Sequence, residues 1–149
     1  EAMAKRENKD VKPVVLINTG CATASSMSNL YGVVFKDPAM RATFGSAVAV
    51  ASGVEAAIEY LKKAERLNPN ERFEIIVFSG EGGTVDIGLQ ALLAAARRGH
   101  RIIYVCFDNE AYMNTGRQQS GSTPPGAFTT TSYAGEVIPG KVRSKARYP

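Results

Sequence analysis

The chain has 149 residues, of which 44% are hydrophobic and 21% are charged, the composition of an ordinary soluble globular domain. Its net charge of +4 arises from residues 141–149, which hold four of the 18 basic residues and no acid, so the remainder is neutral. A neutral body argues against a nucleic-acid-binding surface, and no apolar run approaches the ~20 residues that a membrane span needs. Since no secretory signal is visible, we expect a cytoplasmic protein with one domain, residues 1–140, and a basic tail.

Two elements are predicted in the first half of the chain. Residues 14–17 form a short apolar run that ends at a polar segment, which is typical of a buried parallel strand. Between residues 46 and 66, apolar residues recur at spacings of three and four, and this pattern predicts an amphipathic helix. The helix should end before residues 68–70, because asparagine and proline favour a turn there.

The second half continues the alternation of strand and helix. Residues 73–78 predict a second buried strand, and the helix after its glycine turn should be capped by Gly99. Residues 101–107 predict a third strand that is covered on both faces, with Cys106 in the core. Short connections favour an α/β fold with parallel strands and right-handed crossovers. Because three strands make a thin sheet, we expect a piece of a larger doubly wound domain or one that needs a partner.

Two loops at predicted strand ends carry candidate binding residues. Residues 80–84 read Gly-Glu-Gly-Gly-Thr, and their glycines let the backbone turn sharply and approach a bound group. The amides near Thr84 would open a helix and face an anion. Glu81 would repel that anion unless a cation such as Mg²⁺ lay between them. At the end of the next strand, Asn109 can add its amide oxygen and Ala111 its backbone carbonyl, since such strand ends share one edge of the sheet.

Simpler interpretations stand beside these. A glycine-rich turn is common between strand and helix and predicts a site only weakly by itself. Cys21 could be a small buried residue, and His100 should face solvent after the helix cap. Asp86 should stabilise the first turn of the helix. Met113 could pack or contact a ligand, and Arg117 could lie in solvent or meet a substrate carboxylate.

Four segments together resemble one known family. Residues 50–57, 80–92, 108–116 and 120–131 are similar to the beta subunit of pyruvate:ferredoxin oxidoreductase (pyruvate synthase), of the 2-oxoacid:ferredoxin oxidoreductase family. The loop from Asp108 and its Ser/Thr-Pro extension are longer and more specific than a lone glycine motif. The resemblance implies a three-layer α/β fold that binds thiamine diphosphate, with a mostly parallel, doubly wound sheet. It also implies a central piece of a longer subunit, because Glu1 aligns within a family helix.

The resemblance implies roles for individual residues. The cofactor-binding positions would be Thr19, Gly20, Gly80, Glu81, Gly82, Gly83, Asn109, Ala111, Asn114 and Thr115. Among them, Glu81, Asn109 and the Ala111 carbonyl would bind Mg²⁺, and Gly80, Gly82 and Gly83 would line the diphosphate. Asn114 and Thr115 would lie near the diphosphate or the reacting centre, with Asn114 as the catalytic candidate. Cys21 matches a cysteine that binds a 4Fe–4S cluster next to the thiamine.

The chain also departs from the family pattern. The family usually has aspartate at the position of Glu81, whose side chain is one methylene longer. Residues 44–46 stand where relatives often carry an acid and an asparagine. The family's Cys-x-x-Cys pair upstream and its further cysteine downstream are missing, and Cys21 alone cannot hold a cluster that takes four thiolates. A cluster would therefore need ligands from outside this chain.

The function implied by the resemblance is oxidative decarboxylation of a 2-oxoacid, with pyruvate as first candidate, to an acyl-CoA and CO₂. Thiamine diphosphate and Mg²⁺ would be cofactors, coenzyme A a substrate and ferredoxin the electron acceptor. An alpha subunit would complete the active site within a hetero-oligomer. A second hypothesis is a non-catalytic assembly fragment, which the missing cysteines motivate. A third is a non-redox thiamine diphosphate enzyme of the acetolactate-synthase type.

Overall fold

The computed structural model describes residues 11–21, 23 and 39–132, and it contains one parallel sheet. The strands are β1 (Val11–Asn18), β2 (Ala39–Ala42), β3 (Arg72–Gly80) and β4 (Ile102–Phe107). They lie in the order β2-β1-β3-β4, and all three neighbouring pairs are parallel. The predicted α/β class with a mostly parallel sheet is therefore confirmed. The predicted basic tail, residues 141–149, lies outside the described residues.

The short strand β2 was missed by the sequence analysis, which predicted three strands. Its four residues, Ala-Met-Arg-Ala, form no apolar run that could indicate a strand. β2 forms because β1 offers it a backbone ladder, with Val15 opposite Ala39 and Asn18 opposite Ala42. The strand is therefore specified by pairing rather than by its own side chains.

One α-helix follows β2 and another follows β3, and the first is shorter than predicted. Helix α1 (Ala47–Lys63) ends before the predicted residue 66, because Glu65 adopts a left-handed backbone with φ 56°. Helix α2 (Leu89–Arg98) is capped by Gly99 at φ 70°, which confirms the predicted cap. A π-helical turn, Gly82–Asp86, stands between β3 and α2. Within the described ranges, neither helix has the length and apolarity for a membrane crossing.

The core lies between the sheet and these two helices. Leu16 of β1 and Val77 of β3 are fully buried, and Ala51 of α1 and Ala95 of α2 pack on the same cluster. Both helices thus cover one face of the sheet. The chain passes from β1 to β2 on one side and then crosses to β3 on the other. The carboxyl ends of β1 and β3 flank this reversal, where open α/β sheets bind their ligands.

The prediction that β4 is covered on both faces, with Cys106 in the core, is wrong. Cys106 is exposed, Phe107 is 49% exposed, and Leu93 on the adjoining helix is 60% exposed. β4 ends the sheet order and pairs only with β3 in the described part of the chain. Apolar composition predicts a strand that can be covered, but the covering surface is not encoded in the strand itself.

The prediction that His100 faces solvent is also wrong. Its Nδ1 contacts the Glu55 carboxylate of α1, and Arg98 Nε donates to its Nε2 at 3.0 Å. The Arg101 N–H donates to Glu55 Oε1 at 2.9 Å. Burial tends to raise the pKa of Glu55, but the Arg101 and His100 hydrogen bonds outweigh burial and hold it below its ordinary value. These hydrogen bonds connect α1 to the start of β4.

Candidate functional site

A cavity of about 730 Å³ opens at the carboxyl ends of β1, β3 and β4. Its lining comes from the segments that follow these strands and β2: Thr19, Gly20, Cys21, Phe44, Gly80, Glu81, Gly82, Gly83, Phe107, Asn109, Ala111, Tyr112, Met113, Asn114 and Thr115. All the residues that the resemblance marked for cofactor or metal binding lie in this lining. The volume is in the range of small-molecule sites. The structure thus brings these residues together around one cavity, and the role of each residue stays a prediction.

The carboxylate of Glu81 is the least satisfied group in the cavity. Glu81 is only 4% exposed, and no hydrogen-bond donor or basic group contacts its carboxylate within residues 11–21, 23 and 39–132. A buried charge without a partner is costly. A cation bound in the cavity would remove that cost, so the structure itself favours a metal next to Glu81.

The other predicted metal ligands are oxygen donors on the same cavity wall. Asn109 is exposed there, and no described group bonds to its amide. The Ala111 carbonyl accepts the Met113 N–H at 2.8 Å and keeps a second lone pair. The described residues contain no group of three or more His, Cys, Asp or Glu side chains for a metal. One carboxylate, one amide and one carbonyl oxygen nevertheless suit Mg²⁺, which also takes oxygens from water or phosphate.

The glycine turn after β3 packs so closely against its neighbours that side chains at Gly82 and Gly83 would not fit. A Cβ at Gly82 would lie 2.1 Å from Tyr112 Cε1, and a Cβ at Gly83 would lie 2.1 Å from Asn18 Nδ2. The Gly82 and Gly83 N–H groups come before the first helical bonds and have no acceptor among the described residues. The Thr84 N–H, predicted to face an anion, instead donates to the Glu81 carbonyl at 2.9 Å.

Asn18 lies beneath this turn and was missed by the sequence analysis. It is buried at the end of β1, and its Nδ2 donates to Ser79 Oγ at 2.9 Å. Its Oδ1 accepts the Gly45 N–H at 3.1 Å, which ties β1 to the turn after β2. A polar residue at the end of a buried strand, just before Thr-Gly, was the available signal.

Asp86 was predicted to stabilise the first turn of the helix, but within the described residues its side chain bonds to no group of α2 and instead joins the two loops. Tyr112 donates its hydroxyl to Asp86 Oδ2 at 2.5 Å, and the Gly121 N–H donates to the same oxygen at 3.1 Å. Burial, the hydrogen bond to Asp86 and the negative charges of Asp86 and Glu81 raise the pKa of Tyr112 to about 12. Tyr112 therefore remains a protonated donor at neutral pH.

The second loop is ordered by its own Ser and Thr side chains. Asp108 Oδ1 accepts from Ser122 Oγ at 2.8 Å and from the Glu110 N–H at 2.9 Å. Thr123 Oγ1 donates to the Glu110 carbonyl at 2.6 Å. Asp108 and Glu110 are thus no acid–base pair, because Asp108 organises the loop. Glu110 and Arg117 both hold left-handed backbones at φ 64°. The contacts above hold Glu110, and backbone hydrogen bonds to Tyr112 and Thr130 hold Arg117.

The remaining candidates divide by their place relative to the cavity. Met113 lines it and is half exposed, so it is available to a ligand. Phe44 also lines it and meets the Tyr112 ring edge-on at 6.2 Å. Arg117 lies outside the lining, with its guanidinium 5.7 Å from the Phe128 ring. Cys21 is exposed in the lining, and Cys106, outside it, accepts from Thr84 Oγ1 at 3.2 Å.

Sequence comparisons identify relatives of this chain. It is 45% identical over 134 residues to pyruvate synthase subunit PorB of Thermotoga maritima, a match that covers 90% of this chain and 41% of PorB. It is 47% identical over 136 residues to PorB of Methanothermobacter thermautotrophicus, covering 91% and 44%. Ketoisovalerate oxidoreductase subunit VorB of Pyrococcus horikoshii is 38% identical, covering 84% and 39%. The chain thus spans less than half the length of these relatives, and the predicted resemblance to pyruvate synthase is confirmed.

A structural comparison and a match to a family model agree with the sequence relatives. The structure of the chain resembles that of 2-oxoglutarate:ferredoxin oxidoreductase from Magnetococcus marinus, with a TM-score of 0.64 and 25% sequence identity. That enzyme was solved with 2-oxoglutarate, coenzyme A and succinyl-CoA bound. This match covers 87% of the present chain and 38% of the other. Residues 18–143 match the model of the C-terminal TPP-binding domain of thiamine pyrophosphate enzymes. The chain therefore belongs to the thiamine pyrophosphate enzyme family, as a C-terminal TPP-binding domain.

Proposed function

We propose that this chain forms the diphosphate- and Mg²⁺-holding part of a 2-oxoacid:ferredoxin oxidoreductase of the pyruvate synthase type. The observation that carries the proposal is the buried Glu81 carboxylate, which has no described partner and shares a cavity with Asn109 and the glycine turn. The PorB relatives and the TPP-binding family support the same assignment. When bound, thiamine diphosphate supplies the carbanion stabilisation that loss of CO₂ from a 2-oxoacid requires.

The residues of the cavity wall fit the diphosphate end of that cofactor. Glu81, the Asn109 amide oxygen and the Ala111 carbonyl would hold Mg²⁺, which offsets the buried charge of Glu81. Gly82 and Gly83 lack side chains, and their N–H groups have no acceptor in the part of the chain that the structure describes, so diphosphate oxygens can approach the backbone closely. Gly80 extends this smooth surface to the end of β3.

The rest of the lining would contact the reacting end of the cofactor and its substrate. Asn114 is exposed, and no described group bonds to its amide, so it can both donate to and accept from a ligand. We assign Asn114 as the catalytic candidate for that reason. Thr115 donates its hydroxyl to Gln118 Oε1 at 2.5 Å and would contribute mainly through its backbone. Thr19 and Gly20 line the cavity from the β1 side.

The relatives and neighbours support a proposal for the class of substrate and partners. Their names refer to pyruvate synthase, ketoisovalerate and 2-oxoglutarate, all consistent with 2-oxoacid chemistry. The higher identity to PorB favours pyruvate. Ferredoxin as acceptor and coenzyme A as substrate follow from the 2-oxoglutarate enzyme. PorB is named as a subunit, so we propose that an alpha subunit and others complete the complex.

An iron–sulfur cluster does not fit on this chain alone. The sequence has two cysteines, and a 4Fe–4S cluster takes four thiolates. Cys21 lines the cavity and could supply one ligand, whereas Cys106 lies outside the lining. A role of Cys21 in electron transfer therefore depends on three thiolates from outside this chain.

The test is the thiamine diphosphate and Mg²⁺ content of the complex that contains this chain, purified without oxygen. We expect one of each per copy, loss of both in Glu81→Ala, and retention in Glu81→Asp, which restores a carboxylate. Glu59→Ala, at an exposed acid on α1, is the matched control and should bind normally. Full binding by Glu81→Ala would contradict the proposed site, and a wild-type complex without thiamine diphosphate would favour the assembly fragment.

A further inference from the structure

The two loops of the cavity come from separate parts of the chain, and one side chain connects them. Within the described ranges, the hydrogen bonds between residues 80–88 and residues 108–132 are two, and both end on Asp86 Oδ2. One donor is the Tyr112 hydroxyl, in the middle of the second loop. The other is the Gly121 N–H, where the Ser/Thr-Pro extension begins. Asp86 therefore controls the contact between both halves of the proposed site.

This contact is closely packed from both sides. The Tyr112 ring lies against Gly82, where a Cβ would come within 2.1 Å of Cε1. Asp86 in turn lies against Gly121, where a Cβ would come within 2.4 Å of Oδ1. Neither loop can slide along the other without losing a hydrogen bond or meeting a side chain. These contacts hold the two loops in one fixed arrangement.

The residues of this contact, Asp86 and Tyr112, lie close in sequence to the proposed metal ligands. Tyr112 directly follows Ala111 and is three residues after Asn109, and Asp86 is five residues after Glu81. Asp86 itself is outside the cavity lining, with its acceptor oxygen already used by two donors. Mg²⁺ demands near-ideal octahedral geometry at about 2.0–2.1 Å. A small shift between the loops would thus separate the ligands beyond what Mg²⁺ accepts.

We propose that Asp86 is a positioning residue, whose carboxylate fixes the second loop on the glycine turn and so sets the separation of Glu81 from Asn109. This inference rests on the proposed function, since it concerns the same cation. Groups that orient metal ligands in this way are worth about 10- to 100-fold in metal affinity.

The choice of cation distinguishes positioning from general stabilisation. Ca²⁺ accepts longer bonds of about 2.3–2.6 Å in flexible geometry, whereas Mg²⁺ does not. Thiamine diphosphate binding to the complex is therefore titrated with Mg²⁺ and, separately, with Ca²⁺ by equilibrium dialysis. We expect Asp86→Ala to raise the Mg²⁺ concentration needed for half-maximal thiamine diphosphate binding about 10- to 100-fold. The Ca²⁺ concentration needed should rise less, so that the preference for Mg²⁺ falls.

Two further variants make the test independent of folding defects. Asp86→Asn keeps an oxygen where both donors end and should retain most of the Mg²⁺ preference. Tyr112→Phe keeps the ring on Gly82 but removes one hydrogen bond, and should show a smaller fall than Asp86→Ala. If Asp86→Ala does not fold, Tyr112→Phe carries the test alone. Glu59→Ala is again the control and should match the wild type.

The outcomes separate this inference from the proposed function. Equal losses for both cations, an unchanged Mg²⁺ dependence, or an Asn variant as weak as the Ala variant would each overturn the positioning role of Asp86. A wild-type complex that binds no thiamine diphosphate with either cation would overturn the proposed function, and this inference with it. A wild-type complex with normal Mg²⁺-dependent binding and unchanged variants would contradict the inference alone.

Discussion

The helical face of the sheet and its carboxyl edge differ in the kind of side chain that they bury. Beneath α1 and α2, the fully buried side chains are apolar, as at Leu16 and Val77. At the carboxyl edge, several buried residues are polar: Asn18 and Ser79 bond to each other, and Glu81 has no described partner. The first region supplies stability by packing. The second holds groups at a cost in stability, as binding sites commonly do.

The largest effect should come from the helical face. Leu16→Ala removes a fully buried side chain and leaves a cavity, which should lower the free energy of unfolding by about 2–5 kcal/mol. Leu93→Ala is the matched control, because Leu93 is 60% exposed and should change stability by at most about 0.5 kcal/mol. Urea unfolding midpoints measure both. Similar losses in the two variants would mean that the packed core is not where the structure places it.

An intermediate effect, of opposite sign, should come from the carboxyl edge. Glu81→Met replaces a buried, partnerless charge by an apolar group of similar length, which should raise the free energy of unfolding by about 1–3 kcal/mol without ligands. With Mg²⁺ and thiamine diphosphate at 100 times Kd, the wild type should gain about 2.7 kcal/mol and the variant nothing. Thermal unfolding with and without both ligands measures this reversal. A variant less stable than the wild type in both conditions would contradict the unsatisfied state of Glu81.

The smallest effect lies at the opposite end of the sheet, at the Glu55–His100 pair. The folded pKa of Glu55 lies below its ordinary value of 4.5, so its contribution to stability is present above that pH and is lost as the pH falls through the folded pKa. Unfolding measured from neutral to acidic pH should show Glu55→Gln less stable than the wild type above pH 4.5, with the difference shrinking in acid. Glu59→Gln, an exposed neighbour on α1, should show no such trend. A constant difference at every pH would rule out the hydrogen bonds of the Glu55 carboxylate as the cause.

Local patterns in the sequence were sufficient for most of the fold and for part of the cavity lining. Apolar runs indicated β1, β3 and β4, and glycine marked the turn after β3 and the cap at Gly99. Parallel strands place their carboxyl ends on one edge, so the loops after β3 and β4 were grouped from the sequence, whereas the residues after β1 were added only by the family resemblance. The resemblance to pyruvate synthase then narrowed these loops to individual residues.

The missed features all depend on a tertiary partner. β2 exists through its ladder with β1, His100 is partly covered by its contact with Glu55, and Asp86 meets Tyr112 across 26 residues of chain. Nothing in the neighbouring sequence of Asp86 distinguishes an interloop acceptor from a helix cap. The error at Cys106 has the same origin, because burial depends on what covers a strand and not only on its composition.

The buried carboxylate of Glu81 also has a consequence for the lifetime of the protein in its cell. On the function proposed above, newly made chains would carry an uncompensated charge until Mg²⁺ and thiamine diphosphate arrive. Ligand-free molecules would unfold more often, and unfolded chains are removed by proteases. The steady-state amount of the protein would then follow the supply of thiamine, without any dedicated regulator.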